Sequence, residues 1–196
     1  MRIGILGLAA ACSAFFQAFP ALAQAQVEAH DGLAGATDHA TTEFNRKNRL
    51  QASIGMGSAV GEIGASYTYA PLPVVEFEFG LGLGFTGFQF SAMPKLSLAM
   101  NRSDRLILGV GPSASLDFAT NPNRNYLGYW LNAETGYEHR TVSGFSILLA
   151  VGITYGLGGD MRGHCGLDCG GEAHVGSDPV AGKMYPQARL ALGRWF

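Results

Sequence analysis

Charge is scarce in this chain. Only 14% of its 196 residues are charged, against about 25% in an ordinary soluble domain. The formal net charge is −2, which leaves no basic footprint for nucleic acid, so nucleic acid is not expected as a partner. The 28 glycines keep no strict triplet, which excludes collagen, and their number argues against long helices, because each interior Gly costs a helix about 1 kcal/mol. With 12 Phe and 7 Tyr and so little net charge, the composition does not suit a disordered chain. Past the first 25 residues no stretch approaches the roughly 20 apolar residues that a spanning helix requires. At this length one domain is expected.

What is present begins at the N-terminus. Met1 and Arg2 precede an apolar run from Ile3 to Phe19, then Pro20 and the small-x-small triplet Ala21, Leu22, Ala23. This reads as a secretory signal peptide over 1–25, cleaved after Ala23 or Ala25. Leu8–Cys12 also has the form of a lipoprotein cleavage site, and an uncleaved anchor is the other alternative. The apolar run continues past Cys12, which favours the plain signal. Residues 26–47 show no sustained period and read as a mobile periplasmic lead-in. The remainder, 48–196, is apolar on average without a spanning helix, and the one other membrane form is the closed β-barrel, in which no backbone group stays unpaired.

Alternation supports that form. Val75, Phe77, Phe79, Leu81, Leu83 and Phe85 share one parity, with Glu76, Glu78, Gly80, Gly82, Gly84 and Thr86 on the other. Phe145, Ile147, Leu149, Val151, Ile153, Tyr155 and Leu157 oppose Ser146, Ala150, Gly152, Thr154 and Gly156, with Leu148 as the exception. A period of two over such lengths is β-structure. Eight runs are expected, at about 48–57, 60–69, 74–86, 94–100, 105–116, 126–138, 142–157 and 183–196. Tight turns at 70–73, 101–104 and 139–141 alternate with mostly longer connections at 57–59, 87–93, 117–125 and 158–182, as in an all-β, antiparallel up-and-down transmembrane barrel. Phe145 and Tyr155 are ten steps apart, which projects to about 25 Å along a membrane normal, the height of the apolar band. They, with Tyr129 and Tyr137, Phe77 and Phe85, and Tyr67, Tyr69 and Phe196, form the expected aromatic girdles. The alternative is a secreted β-sandwich, but that predicts charge on the second parity, which is mostly Gly, Ser and Thr.

On this pattern the chain resembles the small eight-stranded outer-membrane barrels of the OmpA and OmpX type. The resemblance covers 48–196, and its most specific element is the ending Leu190, Ala191, Leu192, Gly193, Arg194, Trp195, Phe196. A terminal aromatic after alternating apolar positions looks like the signal read by the barrel-assembly machinery; Arg194 departs from it. The resemblance implies the Gram-negative bacterial outer membrane, its lipids as surroundings, and frequently no enzymatic activity.

Eight strands enclose a space that side chains fill, so a wide pore is not expected. The second parity carries Glu62, Glu76, Glu78, Glu134 and Glu138 against Arg49, Lys95, Arg105 and Arg189. Glu76, Glu78, Glu134 and Glu138, with Arg49 and Arg105 at the same level, are expected to pair as a plug toward the periplasmic end, since charges shielded from water must pair; an ion path or acid/base pair is the rival reading. Trp130, Tyr185 and Trp195 can fill part of the interior. In the 158–182 loop, Cys165 and Cys169 are expected to form a small disulfide in an oxidising compartment. A zinc site with His164 and His174 and free thiols are the alternatives, and no metal or cofactor is expected. A lipid A-modifying acyl hydrolase or transferase would need a Ser–His pair at the rim, and His30, His39, His139, His164 and His174 are not placed for it, so no enzyme is expected. The expected function is a structural or surface-interaction barrel with a mostly plugged lumen. An adhesin or ligand-binding barrel, using loops such as 121–124 and the cysteine ring, and a narrow porin-like channel are the alternatives. The surface ligand is not legible in the sequence.

Overall fold

A strand with two usable edges leaves unpaired backbone groups, and a sheet of enough twisted strands removes its edges by closing on itself. The computed structural model, which describes residues 46–84, 87–117, 124–163 and 181–196, shows this arrangement. The strands are β1 (Asn48–Met56), β2 (Ile63–Leu72), β3 (Val75–Gly84), β4 (Gly87–Ala99), β5 (Asp104–Asp117), β6 (Arg124–Arg140), β7 (Phe145–Gly163) and β8 (Met184–Trp195). They pair antiparallel in chain order as a closed eight-stranded barrel. The closing seam joins β1 to β8 from Arg49↔Trp195 to Met56↔Ala188. The start of β1, the end of β8 and the turns after β2, β4 and β6 lie at one end, the terminal end; the C-terminal ends of β1, β3, β5 and β7 lie at the other, the loop end. The expected signal peptide, most of the lead-in, Phe85, Cys165, Cys169, His164 and His174 fall outside the described residues.

β7 spans Phe145–Gly163 and not 142–157, β2 runs to Leu72 through part of the expected 70–73 turn, and three further boundaries differ from the sequence reading. β4 begins at Gly87, seven residues before the expected start at 94. Phe88 and Phe90 face out while Gln89, Ser91 and Met93 face in, so the alternation is intact. Pro94 lacks a ladder donor and ordinarily marks a strand start or edge, and the β4–β5 pairing does lapse there, stopping at Ser91↔Ser113 and resuming at Lys95↔Gly109. β2 begins at Ile63 and not at 60, because Gly57 (φ 63°) and Gly61 (φ 92°) turn the intervening residues into the barrel. His139 and Arg140 belong to β6 and not to a turn; the connection to β7 is made by residues 141–144, with Gly144 at φ 88°.

The side-chain distribution is that of a barrel turned inside out relative to a soluble fold. Leu50, Phe79, Leu149 and Ile153 are all at least half exposed, while Arg49, Lys95 and Glu138 have no exposure at all. Leu148, the apparent exception to the alternation, obeys it: it points inward with Ile107, Ala150 and Ala191 and forms a small apolar wall.

Candidate functional site

The second parity brings acids and bases from five strands into the terminal half of the interior. Among the described residues, four carboxylates (Glu76, Glu78, Glu134, Glu138) meet four cations (Arg49, Lys95, Arg140, Arg189), so the cluster is formally neutral. It consists of two rings of alternating charge. In the ring nearer the terminal end, Arg49 contacts Glu76 at 3.3 Å and Glu138, and Arg140 contacts the same two acids at 2.5 and 2.6 Å. In the deeper ring, Lys95 lies 2.8 Å from Glu78 and 2.7 Å from Glu134, and Arg189 lies 2.6 Å from each. Arg49 to Glu78, at 3.9 Å, joins the rings.

The ordering follows from strand positions. Glu76 and Glu138 each lie two residues closer to the terminal end than the next inward position, and Glu134 lies one more step along β6. Trp195, one residue from the chain end, covers the outer ring. Its indole donates to Glu138 Oε1 at 3.2 Å, and the Arg49 and Arg140 guanidiniums stand 4.6 and 4.1 Å from its ring centre, within the range of a cation–π contact. Removing one partner of a buried ion pair costs about 3–5 kcal/mol, whereas a complete alternating ring leaves no charge uncompensated. The geometry therefore suits closure and not a conduit: every acid touches two cations.

Toward the loop end the charged rings give way to neutral polar layers. Gln187 donates to Glu134 Oε2 at 3.0 Å. The Thr154 hydroxyl is surrounded by Gln187 Oε1, Asn132 Oδ1 and the Gly57 carbonyl at 2.8–3.0 Å. Trp130 donates to Ser115 Oγ at 3.0 Å. Here the β1–β2 connection enters the barrel: Ser58, Ala59 and Val60 are fully buried. Val60 sits where three inward glycines leave room. A Cβ on Gly64 or Gly80 would come within 2.6 or 2.8 Å of a Val60 methyl, and one on Gly82 within 2.0 Å of the Val60 carbonyl. Beyond Val60 a cavity of about 370 Å³ opens at the loop end, lined by Met56, Glu62, Gln89, Trp130, Thr154 and Tyr185 among others.

The charged residues expected to act together are thus placed as follows. Arg49, Glu76, Glu78, Lys95, Glu134, Glu138 and Arg189 meet in the two rings. Arg105 is at the same end, with its guanidinium donating to the Pro73 carbonyl at 3.1 Å and to Ser97 Oγ at 3.4 Å. Glu62 stands apart, at the opposite mouth. Arg140 falls in the turn expected at 139–141 and so escapes the sequence reading, although it continues the inward parity of Asn132, Glu134 and Glu138. Of the girdle aromatics, Tyr67, Tyr69, Tyr129, Tyr137, Phe145, Tyr155 and Phe196 are exposed on the outer face, and Phe77 is half-buried. Tyr67 donates to Asn48 Oδ1 at 2.6 Å and Tyr137 to Asp104 Oδ1 at 2.5 Å, so both hydroxyls turn to polar partners at the terminal end. His139 Nδ1 lies 2.7 Å from the same Asp104 oxygen; among the described residues no serine hydroxyl bonds to it, and no group of three His, Cys, Asp or Glu is placed to hold a metal. No protein-family model, curated protein or solved structure matches the chain.

Proposed function

We propose that the chain is a transmembrane β-barrel of the bacterial outer membrane, resembling the small OmpA/OmpX-type barrels, with a structural or surface-interaction role and a sealed interior. The observation that supports this most strongly is the inversion of the side-chain distribution: a largely apolar outer face around an interior that buries seven charged side chains. In water that outer face would be a large aggregating surface; against acyl chains it is the solvated face. The exposed tyrosines with hydroxyls turned to the terminal end suit an interface. In this reading the terminal end, with its short turns, faces the periplasm, outer-membrane lipids are the immediate partners, and barrel-assembly machinery inserts the chain. The ion-pair rings below and the Val60 loop above close the lumen twice, which favours a structural role over solute passage.

Two measurements test the reading. The protein should fractionate with outer membranes and shift on an unheated gel relative to a boiled sample. A chain that stays folded and monodisperse in buffer without detergent refutes the membrane assignment. In planar bilayers the wild type should show no steady open current; a steady current refutes the seal and leaves the barrel assignment standing.

A further inference from the structure

The sealed-barrel reading leaves the loop-end cavity unused. Its volume of about 370 Å³ falls in the range of small-molecule sites, and among the described residues its lining holds one charged group among neutral ones. Gln89 donates its amide to the Ser58 carbonyl and to Ser113 Oγ, at 3.2 and 3.4 Å. The Thr154 hydroxyl has its three oxygen neighbours, and the Trp130 N–H is directed down to Ser115. Tyr185 meets the Trp130 ring edge-on, centroids 5.8 Å apart at 73°, which leaves aromatic surface facing the space. The one charged group in the described lining is the Glu62 carboxylate. It is half-buried and has no hydrogen bond or ion pair among the described residues. The contrast is with Glu76, Glu78, Glu134 and Glu138, each of which touches two cations in the rings below. A carboxylate with no cation beside it among the described residues, in a cavity shared with two aromatic rings, matches a ligand that brings the positive charge.

The barrel wall beside this cavity is incomplete. β1 stops at Met56, opposite Ala188, while β8 begins at Met184, so Met184–Gln187 have no β1 partner. The lining includes Met56 and Pro186, which stand on the outward parity, so the cavity reaches the outer face at this seam. Pro186 has no N–H to leave unpaired at such an edge, and Met56 and Met184 are both more than half exposed there. The apolar side of a ligand thus has a lining of its own.

We propose that this cavity is a binding site for a small amphiphilic organic cation, an ammonium bearing an alkyl or aryl group. The charged head lies by Glu62 and the Trp130 and Tyr185 rings, and the apolar part points to Met56 and Pro186. The proposal requires the barrel but not its location in a membrane.

The test uses the folded full-length barrel in a non-ionic maltoside detergent, titrated in parallel with hexyltrimethylammonium, hexanol and hexanoate. The chain has two tryptophans, and Trp195 is buried at the opposite end, so Trp195→Phe leaves Trp130 as the reporter. The expected result is a saturable fluorescence change with the cation, at least tenfold tighter than with hexanoate. Glu62→Gln should weaken the cation about fivefold, as loss of a partly screened ion pair does, and leave hexanol unchanged. A non-saturable response, equal responses to the three probes, or an unchanged cation affinity in folded Glu62→Gln overturns the proposal. Ligand-observed NMR with the wild type, Glu62→Gln and Tyr185→Leu chains makes the same comparison without altering Trp195, and no magnetisation transfer to the cation in the wild type overturns it equally. Failure of these tests leaves the gel-shift and fractionation results, and so the barrel reading, untouched.

Discussion

Glu134 is the residue on which the ion-pair rings can be tested most sharply. Its carboxylate lies 2.7 Å from Lys95, 2.6 Å from Arg189 and 3.0 Å from the Gln187 amide. Glu134→Gln keeps the volume but leaves Lys95 and Arg189 to share Glu78, so the deeper ring holds one uncompensated positive charge behind a wall of Ile107, Leu148, Ala150 and Ala191. Leaving a buried charge unpartnered costs about 3–5 kcal/mol. With a urea slope of about 2 kcal/mol/M, the unfolding midpoint should fall by about 1.5–2.5 M. Arg189→Met alone should cost a similar amount, because Glu78 and Glu134 then share Lys95. The double variant Glu134→Gln/Arg189→Met restores neutrality, so its loss should be well below the sum of the two, with a coupling of about 2–3 kcal/mol. The assay is urea unfolding in lipid vesicles, followed by tryptophan fluorescence and by the unheated-gel band. Single variants that each lose under 1 kcal/mol, or a double variant equal to the sum, would show that water solvates these charges individually, and the reasoning fails.

Gly82→Ala places a methyl 2.0 Å from the Val60 carbonyl and 2.6 Å from that of Ile63; overpacking of this kind costs about 1–3 kcal/mol, and limited proteolysis should cut the displaced 57–62 connection faster than in the wild type. Leu149→Lys puts a charge on the outer face midway between Phe145 and Tyr155, and should destabilise the barrel in vesicles by about 2–4 kcal/mol; a change within 0.5 kcal/mol, the usual range for a water-facing surface site, would contradict the membrane reading. Tyr137→Phe removes the hydrogen bond to Asp104 and should lower stability by about 1 kcal/mol or less, measurable as a small midpoint shift in the same assay.

Much of the architecture could be read because the signal that carries it is local. Period-two alternation over β3, β6 and β7 needs no knowledge of neighbours, and the inward parity of β1, β3, β4, β6 and β8 already contained seven of the eight ring members. What could not be read depends on contacts distant in the chain. Ser58 and Ala59 read only as a short connection and Val60 as the start of the next strand, and nothing before Gly64, Gly80 and Gly82 says that a seat awaits Val60 inside. Pro94 looked like a boundary because its missing N–H is a local fact, whereas the β5 segment that tolerates it lies on another strand. Arg140 was lost to a turn signal in its neighbours, His139 and Thr141, although β6 simply runs two residues farther.

The ring memberships bear on the order in which the barrel can assemble. Two of the four cations, Arg49 and Arg189, and the indole that covers the outer ring come from the first and last strands, while all four acids come from strands in the middle of the chain. A sheet that has formed β2 through β7 therefore carries four acids with Lys95 and Arg140 as their only counter-charges within the cluster. That half-made sheet repels itself, and docking of the outermost strands removes both its free edges and its surplus negative charge in one event. Zipping the seam is thus coupled to neutralising the lumen, so a chain truncated before β8 has neither a partner for the second edge of β1 nor a tolerable interior.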